Sequence, residues 1–232
     1  MSGDTHIYHA KLDLPKFIVR EYESLLCPQE KMRAAGFHFK RDRNRYVVGR
    51  GLLKKILAIY LKSAPGKIKI HYRTNGKPFL YGAGNKEDVH FNLSHSDDCA
   101  LYAFTRSDEI GVDIEKIQAF PEMLSIARSF FSERESTIIN ALPKNEQTIV
   151  FFKFWTRKEA LTKLTGNSLQ QVVRKLDVAL PKGEAICSQK SVYPWKRPLR
   201  YFIKDLTPRL GFAAAIATDR KFGRVRCYQL ST

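Results

Sequence analysis

Apolar residues alternate with polar ones at several places along the chain, and two longer stretches carry them at intervals of three and four. Val89, Phe91 and Leu93 alternate with His90 and Asn92, which predicts a strand ending in Ser94-His95-Ser96. Ile68, Ile70 and Tyr72 alternate ahead of Asn75-Gly76, so residues 67–81 predict a hairpin closed by a type I′ turn. Cys99 to Thr105 is a short apolar strand, and the next one reads Gly111-Val112-Asp113-Ile114-Glu115. Within residues 28–62, Leu53, Ile56, Leu57, Tyr60 and Leu61 fall at helical spacing. A second long helix is predicted from about Glu146 to Leu164, through Phe151, Phe152, Trp155, Ala160 and Leu161, with Gly166-Asn167 as its stop. Ser132-Glu133-Arg134-Glu135 is a capping box for a shorter helix that Pro143 ends.

Other stretches are less periodic. Residues 118–131 read as irregular, with Phe120, Met123, Leu124, Phe130 and Phe131 exposed. Val172–Leu180, Leu199–Ile203, Gly211–Thr218 and Arg224–Leu230 read as strands. The apolar runs at 99–105 and 212–218 echo each other, each following a long amphipathic helix, which fits two similar halves divided near residue 107.

The chain has 232 residues, 44% of them hydrophobic, enough for a sizeable core. Its net charge of +17 implies an anionic partner: nucleic acid, phosphorylated small molecule, acidic protein or membrane surface. The Lys and Arg run from Lys31 to Lys55 contains a single acid, Asp42, and Arg43, Arg50 and Lys54 form a cationic stripe on the first long helix. Gly49 and Gly51 lower the propensity of that helix by about 1 kcal/mol each, which suggests close packing or a close ligand. Cys27, Cys99, Cys187 and Cys227 form no CxxC pair. With no apolar leader at the start and no stretch of membrane-spanning length, the reading is a reduced, soluble, cytoplasmic protein.

Against this basic background the acidic doublet stands out. Asp113 and Glu115 share one face of a strand, while Val112 and Ile114 turn to the other. Alone, the pair fits a solvated edge strand. Likewise Glu159 and Lys163, at i and i+4, fit a surface ion pair. Jointly, Asp113, Glu115 and Glu159 are three oxygen ligands suited to a hard cation such as Mg2+, with the basic residues left for phosphate. No Walker A, GxGxxG or GxSxG motif occurs, which argues against P-loop, dinucleotide-binding and nucleophile-elbow chemistry.

Four motifs in order, Phe91-Asn-Leu-Ser-His-Ser96, Gly111-Val-Asp-Ile-Glu115, Phe130-Phe-Ser132 and Trp155-Thr-Arg-Lys-Glu-Ala160 with Lys163, resemble those of the Sfp-type 4′-phosphopantetheinyl transferases. Gly76-Lys77-Pro78 and the helix bearing Arg45 and Arg50 fit the amino-terminal half of that family. The resemblance covers about residues 31 to 166. It implies an α+β fold of two pseudo-twofold-related lobes, residues 1–106 and 107–232, each a mostly antiparallel sheet packed with a long helix. It further implies a monomer that moves phosphopantetheine from coenzyme A to a serine of an apo acyl or peptidyl carrier protein, an acidic partner, and releases adenosine 3′,5′-bisphosphate. No nucleic acid or membrane is expected as a partner.

The same resemblance implies residue roles. Asp113, Glu115 and Glu159 match the magnesium ligands, and Glu159 also matches the base for the carrier serine. Lys163 matches a pyrophosphate-binding lysine, with Lys158 beside it as a further coenzyme A contact. Ser94, His95 and Arg45 match groups near the 3′-phosphate, Arg50 lies on the same helix, and Lys77-Pro78 matches the adenine edge. Where the family often has arginine before a phenylalanine, this chain has Gly36 before Phe37, leaving Lys31, Arg33 and Lys40 as candidate substitutes. The apolar stretch at Phe120, Met123 and Leu124 is a candidate carrier-docking surface. Two rivals remain on the residues alone: a metal-dependent phosphodiesterase or nuclease, and a non-catalytic basic module for RNA or DNA.

Overall fold

The computed structural model describes residues 4–85, 87–106, 108–166, 176–179, 185–189 and 199–230. Their elements, in chain order, are β1 (Thr5–Lys11), α1 (Lys16–Ser24), α2 (Pro28–Ala35), α3 (Lys40–Leu61), β2 (His71–Tyr72), β3 (Pro78–Phe79), β4 (Val89–Ser96), β5 (Cys99–Arg106) and β6 (Ile110–Lys116). Then follow α4 (Met123–Phe130), α5 (Glu133–Ala141), α6 (Lys144–Thr165), β7 (Ala185–Gln189), β8 (Leu199–Leu206), β9 (Phe212–Thr218) and β10 (Val225–Gln229). No described helix is long and apolar enough to cross a membrane.

Two four-stranded sheets, ordered β10-β1-β5-β4 and β6-β9-β8-β7, carry the α+β architecture. The second is wholly antiparallel; the first includes one parallel pair, β1 with β10. Apolar faces decide how they stack. Ile7, Leu101 and Ala103 of the first sheet meet Val112, Ile114 and Ile216 of the second in a shared core. Tyr102 and Phe104, on the opposite face of β5, pack under α3. Ala215 and Ala217 pack under α6. The echoing runs at 99–105 and 212–218 are the interior strands β5 and β9, apolar on both faces because both are covered.

The boundary at residue 106 falls between β5 and β6, and β10 crosses it to complete the first sheet. The edge strands β4 and β6 lie side by side. Asn92 Oδ1 accepts from Val112 N (2.9 Å), Ser94 Oγ donates to Asp113 (2.8 Å), and Ser96 Oγ donates to Glu115 (2.7 Å). Polar side chains of β4 therefore stitch the two sheets at the acidic strand, so β6 is a covered edge rather than a solvated one.

Several local expectations are revised. The hairpin turn has positive φ only at Gly76, and Gly76 N bonds Arg73 O (2.8 Å). A turn over Arg73–Gly76 with a left-handed glycine closes it, rather than a type I′ turn at Asn75-Gly76. Residues 123–130 form α4 instead of a loop. Met123 is buried, Phe120 rests on Phe151 and Phe152, and Leu124 packs on the same core. Met123 and Leu124 turn inward on an amphipathic helix and Phe120, ahead of it, rests on the same core, so the three are buried or half-buried rather than exposed. The proposed strand Val172–Leu180 lies partly outside the described residues; within it, residues 176–179 form no strand.

Candidate active site

Helix α6 lies directly on β6 because Gly111 has no side chain. A Cβ there would meet the Ala160 carbonyl oxygen at 1.9 Å and Leu164 N at 2.5 Å. This close approach sets Glu159 and Lys163 against Asp113 and Glu115. Buried charges on the other side of the helix fix its rotation. Arg157 forms a two-pronged pair with Asp205 (2.7 and 2.8 Å) and donates to Val178 O (2.6 Å). Lys158 pairs with Glu135 (2.9 Å) and donates to Leu176 O (2.8 Å). Glu135 also closes the α5 capping box with Ser132.

Lys158 is thus turned away from the site, only 1% exposed, and the expectation that it contacts coenzyme A is corrected. The reason is helical geometry. Trp155, Glu159, Thr162 and Lys163 share one face, whereas Lys158 sits about 100° round from Glu159. That spacing is readable in the sequence.

The shared face borders a cavity of about 830 Å³, a size suited to a nucleotide-like ligand. Ten expected residues line it: Arg45, Arg50, Lys77, Pro78, Ser94, His95, Asp113, Glu115, Glu159 and Lys163. Arg33 lines it too, while Lys31 and Lys40 do not, so of the three candidates near Gly36 it is Arg33 that reaches the cavity. Tyr46, Tyr72 and Asn75 also line it and carry no catalytic signal in the sequence; their position follows from the hairpin folding over α3.

The basic residues differ in what they have free. Arg45 is held by Asp13 (2.8 and 2.7 Å) and Asp97 (3.0 Å). Lys54, expected on the cationic stripe, is buried against Glu30 (2.7 Å). Arg50 lies between the rings of Tyr46 and Tyr72 and donates to the Tyr72 hydroxyl. Its Nη1 is buried and has no hydrogen-bond partner among the described residues, and its Nε faces the Glu30 carboxylate at 3.7 Å. Gly51 answers to packing, since a Cβ would strike Tyr22 at 2.5 Å, whereas Gly49 lines the cavity.

The acidic wall is electrostatically loaded. Asp113, 2% exposed, accepts from Lys163 Nζ (2.7 Å) and Ser94 Oγ (2.8 Å) through one oxygen. Its other oxygen, Oδ2, is buried without a partner among the described residues. Burial pushes Asp113 and Glu115 above the usual carboxylate range, and Asp113 adds to the push on Glu115. Glu159 is raised to about 7, by burial first and then by Asp113, with Lys163 opposing. His95 is lowered, chiefly by lost hydration and then by Lys163 and Arg45.

Three carboxylates that disfavour their own charge, with one buried oxygen unmet, fit a hard divalent cation by donor chemistry. They line the wall without closing into a cage; among the described residues no three His, Cys, Asp or Glu side chains are gathered tightly enough to hold an ion. Lys163 is the counter-cation of Asp113 in this arrangement.

A pH-dependent stability follows for the metal-free protein. Glu159 has a folded pKa of about 7 against an ordinary 4.5, so between these values the folded state holds a proton that the unfolded state has lost. Stability from this group is present at low pH and falls as pH rises through that window. In EDTA, the melting temperature of Glu159→Gln relative to wild type should therefore rise from about pH 5 to 8. Added Mg2+ should cancel the trend by stabilising the wild type at high pH.

Residues 19–106 match the model of the 4′-phosphopantetheinyl transferase amino-terminal domain, and residues 109–204 match that of the 4′-phosphopantetheinyl transferase superfamily. The 4′-phosphopantetheinyl transferase HetI of Nostoc sp. is 34% identical over 184 residues, 79% of this chain and 77% of that protein. The 4′-phosphopantetheinyl transferase Sfp of Bacillus subtilis is 31% identical over 159 residues, 68% of each chain. On that extent of similarity, the chain belongs to the 4′-phosphopantetheinyl transferase family.

Proposed function

We propose that the protein transfers the 4′-phosphopantetheine arm of coenzyme A to a serine of an apo acyl or peptidyl carrier protein, with Mg2+ at Asp113, Glu115 and Glu159. The observation that carries this reading is the cavity itself. β6 and α6 bring three carboxylates and Lys163 to it; α2, α3 and the β2–β3 hairpin bring Arg33, Arg50 and two tyrosines. Coenzyme A has the matching asymmetry, a pyrophosphate at one end of the nucleotide and a 3′-phosphate and adenine at the other.

In the reaction, the carrier serine oxygen attacks the β-phosphorus of coenzyme A. The bond to the oxygen that bridges the two phosphates breaks, and adenosine 3′,5′-bisphosphate leaves. Such transfer depends on positioning and charge stabilisation. Bound Mg2+ would supply charge neutralisation on the pyrophosphate. Glu159, raised toward neutrality, is suited to take the serine proton, directly or through water. Lys163 is placed to swing from Asp113 to the leaving phosphate, being only partly buried. Ser94 and His95 border the same cavity; the Ser94 hydroxyl donates to Asp113, which leaves the His95 ring to meet a phosphate oxygen. The basic surface charge would draw an acidic carrier.

Two results test this reading. Chromatography of the reaction should reveal adenosine 3′,5′-bisphosphate in step with carrier modification, both lost in EDTA and restored by Mg2+; transfer that persists in EDTA contradicts the metal assignment. Arg33→Ala should raise KM for coenzyme A by about tenfold with little change in kcat, as for lost ground-state binding. Lys31→Ala and Lys40→Ala should leave KM unchanged, and equal effects from all three would remove the specific role of Arg33.

A further inference from the structure

The β2–β3 hairpin supplies Tyr72, Asn75, Gly76, Lys77 and Pro78 to the cavity, so its position sets the shape of that wall. Its own two-residue strands cannot hold it there, since isolated hairpins are marginal in water. The fastening comes from the other half of the molecule. Glu109, one residue before β6, accepts from Lys77 Nζ (2.8 Å) and from the Arg73 guanidinium, both on the hairpin. His90 Nδ1 of β4 lies 3.7 Å from the same carboxylate. Lys77 Nζ also donates to the carbonyls of Ile110 (3.2 Å) and Leu164 (3.4 Å). At the tip, Asn75 Nδ2 donates to Gly166 O (3.0 Å), the C-cap of α6. The hairpin is therefore tied to β6 and α6, the two elements that carry Asp113, Glu115, Glu159 and Lys163.

This arrangement changes the reading of Lys77. It lines the cavity, but its ammonium is committed to Glu109 and two carbonyls, leaving its stem and backbone to face the ligand. Glu109 and Arg73 are partly exposed and their pair adds little to global stability, whereas Lys77 is buried and its pair with Glu109 adds more. What they can do is hold one element at a defined distance from another.

We propose that Glu109 is a positioning residue for coenzyme A: by clamping Arg73 and Lys77 it sets the hairpin against the α6–β6 wall and so fixes the affinity for the nucleotide. It acts without touching the reacting atoms. The proposal rests on the transferase reading given above.

The test measures transfer to an apo carrier at varied coenzyme A, and coenzyme A binding by calorimetry, for wild type, Glu109→Gln and Asn75→Ala. Glu109→Gln should raise both KM and Kd for coenzyme A on the order of tenfold, with kcat within about twofold of wild type, and should lower the melting temperature through the buried Lys77 whose counter-charge it removes. Asn75→Ala should shift KM in the same direction. Unchanged or lower KM in folded Glu109→Gln, or a loss of kcat at constant KM, overturns the clamp. Should Glu109→Gln fail to fold, Asn75→Ala decides, and a KM equal to wild type in that variant overturns it. A wild-type protein that neither binds coenzyme A nor transfers its arm removes the transferase reading, and the clamp with it. Wild-type activity with unaltered variants removes the clamp alone.

Discussion

Asp113→Ala is expected to lower transfer by at least about a thousandfold while the protein stays folded. The carboxylate sits on the covered face of β6, where it meets Lys163 and Ser94 through one oxygen and leaves the other unmet. Burial already pushes its pKa up, so the folded protein gains little from keeping it ionised. Once it is removed, Lys163 is exposed enough to be hydrated and keeps Ser94 as a partner. A buried pair broken this way does not strand a charge in a dry interior, which is the usual source of large losses. The melting temperature should then move by only a few degrees. Near wild-type turnover would rule Asp113 out of the site; an unfolded variant would instead place it among the structural ion pairs, with Arg157 and Asp205.

Glu159→Gln carries the second large effect. Gln is close to isosteric and keeps the helix, but it can neither accept the serine proton nor offer an anionic oxygen to a cation. Loss of a general base alone reduces rate by about 10²–10⁴. The pH profile separates this from a packing defect. In wild type, kcat/KM should rise with pH as Glu159 gives up its proton, and the rise should move to lower pH as Mg2+ is increased. The residual activity of Glu159→Gln should lack that limb. A variant with the wild-type profile and a modest uniform loss would mean that Glu159 shapes the cavity without handling the proton.

Much of the site is legible in the sequence because its signals are local. A strand's period of two puts Asp113 and Glu115 on one face, and the helix period puts Glu159 and Lys163 on another. The capping box at Ser132 and Glu135 and the stop at Gly166 depend on a few neighbouring residues and occur as expected. The features that escape a sequence reading depend on partners far along the chain. The parallel pairing of β1 with β10 joins the two ends of the sequence, and no local pattern reports it. Glu109 reads as a polar turn residue, yet its meaning comes from Arg73 and Lys77. Gly111 stands in the key motif, but only the position of Ala160 explains why it must be glycine. The apolar residues at 120–124 read as exposed because their inward side becomes visible only against Phe151, Phe152 and the rest of that core. Lys158 belongs to a different class, since the helical angle separating it from Glu159 is fixed by their spacing and outweighs their adjacency in the motif.

The most direct measurement is the intact mass of an apo acyl carrier protein after incubation with this protein, coenzyme A and Mg2+, with a peptidyl carrier in parallel. A gain of one phosphopantetheine arm on the carrier serine is expected, absent in EDTA and absent with Asp113→Ala. No gain on any carrier, from folded protein that binds coenzyme A, would contradict transfer to a carrier serine as its activity.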